Sequence, residues 1–417
     1  MRFLFFLLLL LPTLLSAQWE PGAVYREYHW VTPTEGEEFL RVGGRYGYAA
    51  NPGKLPDSLQ RGAELIIPGE LDLEGALRAE ISLEKVMSHE DSRNLRVAVN
   101  GHAPIALPEP STIPAPQTEY MYHTEVGAEV PLEQLRQGEP TYLALTLDST
   151  QRWNWPQNLV YGITLRVYYA ASSTSPAPAP APPVVQITSP VSEAAYLTAR
   201  TAPGTRHVDY VFVGRDTDWS GRGVYERTHW QTFRCQPLRI LGRSATPGNG
   251  FATRWDTRWL PNQATFGVQA RALGADGKYR VSEVRQGLAL AARPYTVTLY
   301  EPGPAPRNWV TRSGEFSQTI AVPDSVEDVT SFRLAWVSWS PCYGNGLFLN
   351  GHLLWQRTDD CYVFATHTPE FAGHDVPALQ QGDNVLRTAL TPLFRGKMVH
   401  GMEVQWPGVQ LKVRRGW

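Results

Sequence analysis

The side chains best suited to chemistry form an aromatic and amide cluster: Trp153, Trp155, Gln157 and Asn158. Flat indole rings can stack on the C–H faces of sugar rings, while amides exchange hydrogen bonds with hydroxyl groups, a combination typical of ligand sites. The alternative is that one tryptophan fills the end of a β-sandwich and Pro156 shapes the loop. Trp339 is a second candidate for sugar contact, whereas Trp336 lies in mid-strand and is expected in the core.

Carboxylates that could act as a pair are the next candidates: Glu84, Glu90, Asp91 and Glu125. Glycoside hydrolysis uses two such groups separated by about 5–10 Å. The sequence alone does not bring any two of them together, and acids in such contexts are usually solvated. They are therefore held as candidates for an enzyme, and no catalytic residue is predicted.

A short acidic stretch resembles the beginning of a calcium-binding loop, with Asp216, Asp218 and Ser220 at alternate positions before a glycine. Alternating oxygen ligands are typical of such loops, but the bidentate acid that should close the loop is replaced by Arg227. A solvated loop tip is the competing interpretation. No His-Glu-x-x-His motif or paired zinc cysteines occur in the sequence, so Ca²⁺ is the one cofactor considered.

Of the three cysteines, Cys342 and Cys361 flank a predicted hairpin at Asn350-Gly351. Folding the hairpin brings the two strand ends opposite each other, within reach of a disulfide, and an exported protein permits oxidation. The third cysteine, Cys235, lies in no nucleophile motif and is predicted to be a buried free thiol.

The elements that must position these residues occur twice. The sequences V-A-V-N-G-H and L-F-L-N-G-H contain Asn100-Gly101 and Asn350-Gly351, a pair that favours tight hairpin turns. Matching landmarks surround both turns, including the His-Thr pairs at His123 and His367 and the closing strands that begin at Gly162 and Gly408. The matching histidines are expected to serve the fold. The pattern predicts one β domain at each end of the chain.

The remaining sequence gives the domain organisation. Residues 1–17 are predicted to be a secretory signal peptide, cleaved near Ala17 and too short to span a membrane comfortably. Residues 18–170 form the first β domain, and the proline- and alanine-rich residues 171–183 form an extended linker. Residues 184–293 have the short strands of an immunoglobulin-like or fibronectin-like sandwich. Residues 294–417 are the second copy of the first domain.

Several landmarks of the last domain carry a family resemblance: Asn350-Gly351, Val376, Leu379, Gly382, Asp383 and Asn384. This series resembles galactose-binding-like jelly-roll domains, such as the non-catalytic domains of glycoside hydrolases. The first domain departs from it, with Glu139-Pro140 in place of Asp383-Asn384. The resemblance implies an antiparallel sandwich whose end loops bind sugar, although many such domains serve only as architecture.

The sequence therefore predicts an all-β protein with two jelly-roll sandwiches flanking an immunoglobulin-like sandwich, in a secreted, periplasmic or extracellular setting. The net charge of −2 excludes the strongly basic balance that dominates nucleic-acid binding. The favoured function is non-catalytic binding of a glycan or glycoconjugate through aromatic end loops. Two alternatives stay open, a glycosidase, lyase or glycoprotein amidase on the same scaffold, and a structural or adhesion component.

Overall fold

The structure is a computed structural model, and it describes residues 19–32, 40–42, 64–86, 92–108, 124–149, 158–170, 180–219, 225, 231–302, 310–311, 315–339, 344–356, 364–390, 393–394, 397–398 and 403–416. Throughout this part the chain is all-β, as predicted, with short 3₁₀ helices at Leu132–Gln134, Pro247–Asn249 and Gly373–Ala378. No helix in these ranges is long and apolar enough to cross a membrane. The predicted signal peptide lies outside the described residues.

The N-terminal region folds as two facing sheets. Its strands are β1 Val24–Val31, β2 Leu40–Val42, β3 Glu64–Ile67, β4 Ala76–Val86, β5 Ser92–Val99, β6 Ile105–Ala106, β7 Thr124–Val130, β8 Thr141–Ser149 and β9 Asn158–Tyr169. The first sheet has the order β1-β9-β4-β7, with β2 also paired to β9, and the second has the order β3-β8-β5-β6. All of these pairings are antiparallel.

Alternation along β4 explains how this sandwich forms. Ala79, Ile81 and Leu83 are buried in one apolar core together with residues of β5 and β8. Since successive side chains of a strand point to opposite faces, Glu80 and Glu84 lie on the outer face of the same sheet. The outer face of β4 therefore carries acids, and this is the face on which the middle of the chain packs.

The middle region has the strands β10 Val184–Gln186, β11 Ala194–Arg200, β12 His207–Val213, β13 Gln231–Phe233, β14 Gln236–Leu238, β15 Gly242–Ser244, β16 Thr253–Asp256, β17 Phe266–Leu273, β18 Tyr279–Val281 and β19 Arg285–Leu288. One sheet has the order β10-β11-β16, and another contains β15-β12-β17-β18. Their shared core includes Tyr210, Trp255 and Phe266. The small hairpin β13–β14 stands apart from both sheets.

The N-terminal and middle regions share one sheet. β1 pairs antiparallel with β18, where Val24 lies opposite Arg280 and Tyr25 opposite Tyr279. The result is a ten-stranded sheet that includes the path β15-β12-β17-β18-β1-β9-β4-β7. Pairing with β18 covers the outer edge of β1 at its first two residues, whose backbone groups would otherwise be unpaired there. The proline-rich linker predicted between these regions thus joins parts that are hydrogen-bonded to each other.

The C-terminal region repeats the strand order of the N-terminal region. Its strands are β20 Tyr295–Tyr300, β21 Val310–Thr311, β22 Glu315–Val322, β23 Val329–Trp339, β24 Gly344–Leu349, β25 His352–Trp355, β26 Phe364–His367, β27 Glu370–Ala372, β28 Gly382–Leu390, β29 Leu393–Phe394, β30 Lys397–Met398 and β31 Glu403–Gly416. One sheet has the order β20-β31-β23-β26, with β21 on β31 and β27 on β23, and the facing sheet has the order β22-β28-β24-β25. Apart from the small β29–β30 hairpin, each pairing has its counterpart among the described strands of the first region, where β7 corresponds to both β26 and β27.

The two Asn-Gly turns have the same geometry. Asn100 and Asn350 both have left-handed backbones, with φ of 49° and 48°. The Asn100 side chain donates to the Gln134 carbonyl at 2.8 Å and accepts from the Tyr142 amide at 3.0 Å. Asn350 likewise donates to the Ala378 carbonyl at 2.8 Å and accepts from the Val385 amide at 2.8 Å. The predicted hairpins are confirmed, and each asparagine also links its hairpin to neighbouring chain segments.

The motif residues that carry the family resemblance serve this turn. The amide oxygen of Asn384, a buried residue, accepts from the Asn350 side chain at 2.9 Å and from the Gln380 backbone amide at 2.9 Å. Its amide nitrogen donates to the Gln380 carbonyl at 2.8 Å. Asn350, Gln380 and Asn384 therefore stabilise the turn through their hydrogen bonds.

Replacing Asn350 by alanine is expected to lower the free energy of unfolding by about 3 kcal/mol. The change removes hydrogen bonds worth roughly 0.5–1.5 kcal/mol each and leaves a Cβ residue in a left-handed conformation that costs about 1–2 kcal/mol. Asn350→Gly keeps the conformation accessible, so its loss should be about 1 kcal/mol smaller. Urea denaturation measures both values, and equal losses would contradict the backbone part of the argument.

Candidate functional site

Several residues predicted to form sites lie outside the described residues: Trp153, Trp155, Gln157, Ser220, Cys342, Cys361, Glu90, Asp91 and His123. The sugar contacts and the Cys342–Cys361 disulfide therefore stay predictions. The described strand ends nevertheless fix where these segments leave and rejoin the fold.

One end of the N-terminal sandwich collects the strand termini that flank the aromatic stretch. Lys85, near the end of β4, pairs with Thr124 at the start of β7, and Val86 pairs with Leu159 near the start of β9. In the facing sheet, Ser92 pairs with Ser149, where β8 ends. We call this end of the sandwich the loop end. Residues 150–157, which include Trp153 and Trp155, connect β8 to β9 there.

The C-terminal sandwich has the corresponding loop end. Trp339, the last residue of β23, pairs with Phe364 at the start of β26 and with Val404 near the start of β31. In the facing sheet, Gly344 pairs with Leu390, at the end of β28. The structure thus places the Trp339 backbone at the loop end and leaves its predicted sugar contact a prediction.

Asn158 is the one member of the aromatic and amide cluster that the structure describes. Its side chain is buried, and its amide oxygen accepts a hydrogen bond from the Lys85 ammonium at 2.8 Å. The sugar contact predicted for Asn158 stays untested, and the observed bond ties β9 to β4 at the loop end.

Trp336 and His367 belong to the core of the C-terminal region, as predicted. Trp336 is fully buried, and its ring lies 4.7 Å from the His367 ring in a stacked arrangement. The His367 ring nitrogen Nε2 lies 2.8 Å from the Ser338 hydroxyl. Trp355 packs edge-on against both rings, with centroids 5.2 and 4.7 Å away. This histidine therefore holds strands together, whereas His102 and His352 are exposed.

Two of the candidate acids meet on the outer face of the first sheet. Glu84 on β4 and Glu125 on β7 are direct cross-strand partners. The hydroxyl oxygen Oγ1 of Thr232, on the hairpin β13–β14, is in hydrogen-bond contact with Glu84 Oε1 and lies 3.0 Å from Glu125 Oε1. One hydroxyl thus bridges the two carboxyl groups, which brings them within the spacing that a glycosidase pair requires.

The hairpin also covers this acid pair. The backbone amides of Arg234 and Cys235 donate to the Glu84 carboxyl at 2.6 and 2.8 Å. The Thr232 amide donates to Glu125 at 2.5 Å. Glu84 itself is 3% exposed. The carboxyl groups therefore accept hydrogen bonds from backbone N–H groups of the hairpin at the positions where a substrate would have to bind. In this arrangement the two acids hold the hairpin in place.

The tip of the hairpin fits a space left by a glycine. Arg234 and Cys235 have left-handed backbones, with φ of 51° and 59°, as in a tight two-residue turn. A Cβ atom on Gly162 of β9 would lie 2.7 Å from Cys235 Sγ and 3.2 Å from the Cys235 amide nitrogen. The thiol lies 3.5 Å from the Trp30 carbonyl oxygen. Gly162 is thus required for the close approach of the hairpin.

The pKa values of this cluster follow from its burial. Burial, assisted by the neighbouring Glu125 carboxylate, raises the pKa of Glu84 to about 7, although the hydrogen bonds from Thr232, Cys235 and Arg234 act against this. Burial also raises the pKa of the Cys235 thiol well above its usual value. The prediction of a buried free thiol at Cys235 is confirmed, and a thiol with a raised pKa is a poor nucleophile.

The predicted calcium loop is partly described: Asp216 and Asp218 lie among the described residues. The Asp216 carboxylate pairs with the Lys412 ammonium of β31 and accepts from the Thr217 amide at 2.7 Å. Asp218 is buried, and its backbone exchanges hydrogen bonds with the Gln410 side chain at 2.8 and 3.0 Å. Among the described residues no group of three or more His, Cys, Asp or Glu side chains could hold a metal. The described aspartates bind the C-terminal region, and the Ca²⁺ site stays a prediction.

Arg239, just after the hairpin, connects the two loop ends. Its guanidinium donates to the Thr366 hydroxyl of β26 at 2.9 Å and lies 4.8 Å from the Trp219 ring centroid. Burial lowers the pKa of Arg239, and the Glu125 carboxylate of the first sheet acts in the opposite direction. The outer faces of the two terminal sandwiches therefore approach each other here, close to their loop ends.

The sequence reasoning missed the residues on the hairpin. Thr232 and the backbone of Arg234 and Cys235 complete the acid pair, but residues 231–238 carry no recognisable motif. A usable signal is Gly162, because the closing strand in which it lies is otherwise rich in β-branched and aromatic residues. A glycine inside a strand indicates close backbone approach.

No protein-family model matches this chain, and no curated protein matches it. Solved structures to which this chain is similar include a β-porphyranase of glycoside hydrolase family 86 from Bacteroides plebeius. The identity is 11% and the TM-score 0.21, and the match covers 58% of this chain and 37% of that one. Another is a β-glucuronidase from Faecalibacterium prausnitzii, at 10% identity and a TM-score of 0.20, covering 63% and 46%. The ANX2 ectodomain from Arabidopsis thaliana is 9% identical with a TM-score of 0.20, covering 95% and 89%.

This chain spans less than half the length of the two glycoside hydrolase chains. At TM-scores of 0.20–0.21 these likenesses carry no argument about fold, activity or ligand.

Proposed function

We propose that the protein is a secreted, non-catalytic carbohydrate-binding protein, in which two jelly-roll sandwiches flank an immunoglobulin-like sandwich. Binding takes place at the loop ends of the terminal sandwiches, through Trp153, Trp155 and Gln157 and through Trp339. The proposed ligand is a glycan or glycoconjugate outside the cytoplasm.

The observation that carries the non-catalytic part is the covered acid pair. Glu84 and Glu125 are the candidate acids that the structure brings together, and hairpin amides fill their hydrogen-bonding positions. A general acid must reach the glycosidic oxygen, and a nucleophile must reach the anomeric carbon. A carboxyl group that is 3% exposed beneath a backbone turn reaches neither.

The binding part is supported by the positions of the strand ends. The stretch that contains Trp153 and Trp155 leaves β8 and enters β9 at the loop end. Arg239 contacts Thr366 of the C-terminal sandwich and interacts electrostatically with Glu125 of the N-terminal one. We propose that the loop segments of both sandwiches contact one extended chain of sugars from two sides.

Affinity electrophoresis in gels that contain polysaccharide tests this function. The wild type is expected to be retarded by at least one glycan, and Trp153→Ala or Trp155→Ala to reduce the retardation. Tyr196→Ala is a matched control, because Tyr196 is an exposed aromatic residue of the middle region. If neither tryptophan substitution changes the retardation, or no glycan retards the wild type, the proposal fails.

A second candidate, a glycosidase, is favoured by the proximity of Glu84 and Glu125. It requires the hairpin to leave the acid pair before substrate binds. Reducing-end release from a polysaccharide by the wild type, abolished in Glu84→Gln and retained in Glu129→Gln, would establish this function in place of the first. Glu129 lies on β7, the strand of Glu125, and is exposed.

A further inference from the structure

The hydrogen bonds at the acid pair need one proton more than two ionised carboxylates and the Thr232 hydroxyl group supply. Thr232 Oγ1 is within hydrogen-bond distance of Glu84 Oε1 and of Glu125 Oε1. A hydroxyl group has one hydrogen and can donate to one of these oxygens only. If both acids were ionised, the Thr232 hydroxyl could donate to only one of them. The contact with the other would then bring two oxygen atoms together with no hydrogen between them, next to two negatively charged carboxylates. A proton on one carboxyl group gives a continuous chain, in which the acid donates to Thr232 and Thr232 donates to the second acid.

Charged and titratable groups surround the pair on several elements. Glu84 and the neighbouring Lys85 lie on β4, and Glu125 lies on β7. The hairpin contributes Arg234 and Cys235, and the chain after it contributes Arg239. On β1, the His29 ring lies 3.1 Å from the Thr164 hydroxyl, and Glu27 lies further along. The Lys85 ammonium is bonded to Asn158.

We infer that the hairpin β13–β14 docks on the first sheet together with one proton, shared by Glu84, Thr232 and Glu125, so that docking weakens as the pH rises from acid to neutral. Docking takes the proton from solvent onto a carboxylate, and release returns it. No other reactant takes part. The hairpin continues into Arg239, which contacts Thr366, so its release would also loosen the connection between the two loop ends.

The direction of the effect follows from the raised pKa of Glu84, about 7 when docked against 4.5 for an ordinary glutamate. A group whose pKa is raised in the docked state contributes its stabilisation fully below pH 4.5 and loses it as the pH rises through 7. For one proton, the docking equilibrium constant falls roughly tenfold per pH unit inside this window. His29 would contribute a pH dependence of the opposite sign, because burial lowers the pKa of its ring and so favours the buried state at higher pH.

Hydrogen exchange measured by mass spectrometry on the full chain tests the inference. The readout is the protection of peptides covering residues 231–238, corrected for the intrinsic pH dependence of exchange, between pH 5 and 7. In the wild type the protection is expected to fall roughly tenfold per pH unit. In Glu84→Gln it should not depend on pH, because the side chain cannot ionise. Glu129→Gln, on an exposed neighbour, should behave as the wild type does.

The peptides of β12 and β17 provide an internal reference, since they lie in the core of the middle region. A fall in their protection equal to that of the hairpin would mean global unfolding and would overturn the inference. So would pH-independent protection of the wild-type hairpin, or an unchanged pH dependence in Glu84→Gln. If Glu84→Gln does not fold, Glu125→Gln removes the same shared proton and is expected to give the same flat profile.

Discussion

Replacing Arg271 by methionine is expected to lower the free energy of unfolding by about 3–5 kcal/mol, the range found when one partner of a buried ion pair is removed. Arg271 is 2% exposed and lies where the N-terminal and middle regions share their sheet. Chemical denaturation followed by tryptophan fluorescence measures the change.

The size of this effect follows from what Arg271 leaves behind. Its Nε donates to Asp209 at 3.0 Å, and its Nη1 donates to Glu27 at 3.2 Å and to the Tyr25 hydroxyl at 3.1 Å. Asp209 and Glu27 are both buried, so their charges cannot be solvated when the guanidinium is absent. Asp209 keeps Arg243, and Glu27 keeps Arg166, so the loss is expected near the lower end of the 3–5 kcal/mol range for a broken buried pair.

Arg258→Met is the matched control. Arg258 pairs with Asp256 at 2.6 Å, but the two side chains are 53% and 39% exposed. An exposed pair contributes about 0–1 kcal/mol, so this substitution should have little effect. Comparable losses in the two variants would show that the buried network does not hold the shared sheet together.

The sequence was sufficient to predict those parts of the fold that depend on local patterns. The Asn-Gly turns, the alternation in β4 and the mid-strand position of Trp336 are encoded within a few residues. The sequence also matches Leu77-Arg78 to Phe332-Arg333 between the two copies, and this match is misaligned. Arg78 pairs with Tyr168 and Arg333 with Lys412, so that, when Gly162 is matched to Gly408, the two arginines are not equivalent. Strand register depends on the partner strand, and the spacing of landmarks along one strand carries no information about that partner.

The acid pair shows where sequence reasoning reaches its limit. Glu84 and Glu125 were both candidates, but their pairing depends on the register of β4 and β7. Their covering by Thr232 and Cys235 depends on contacts more than a hundred residues apart in the chain. The link between β1 and β18 is of the same kind. Such contacts are set by tertiary packing, and no local propensity specifies them.

Glu27 is expected to make the protein sensitive to acid. Burial acts to raise the pKa of this carboxyl group, but Arg271 and Arg166 outweigh it and lower the pKa from 4.5 to about 2. A group whose pKa is lowered on folding contributes stability above its unfolded value, and this contribution is lost as the pH falls. A difference of about 2.5 units corresponds to about 3 kcal/mol, lost between pH 4.5 and 2.

The comparison of wild type with Glu27→Gln isolates this contribution. The variant should be less stable at neutral pH, because Arg166 loses its closest carboxylate, at 2.7 Å. Between pH 4.5 and 2 the difference in unfolding free energy between the two proteins should shrink by about 3 kcal/mol, since the glutamine has no proton to bind. Acids with lowered pKa values outside this network, such as Asp256, titrate in both proteins and cancel.

Glu84→Gln should show the opposite sign in a different window. The pKa of Glu84 is raised to about 7, so the wild type loses stability relative to this variant as the pH rises from 4.5 to 7.

Unfolding free energies measured in urea from pH 2 to 8 test both the Glu84 and the Glu27 predictions. Parallel curves for the wild type and Glu27→Gln below pH 4.5 would show that Glu27 is not held ionised by the two arginines. The buried network would then have to be neutral at that carboxyl group, and the case for Arg271 as its centre would fall with it.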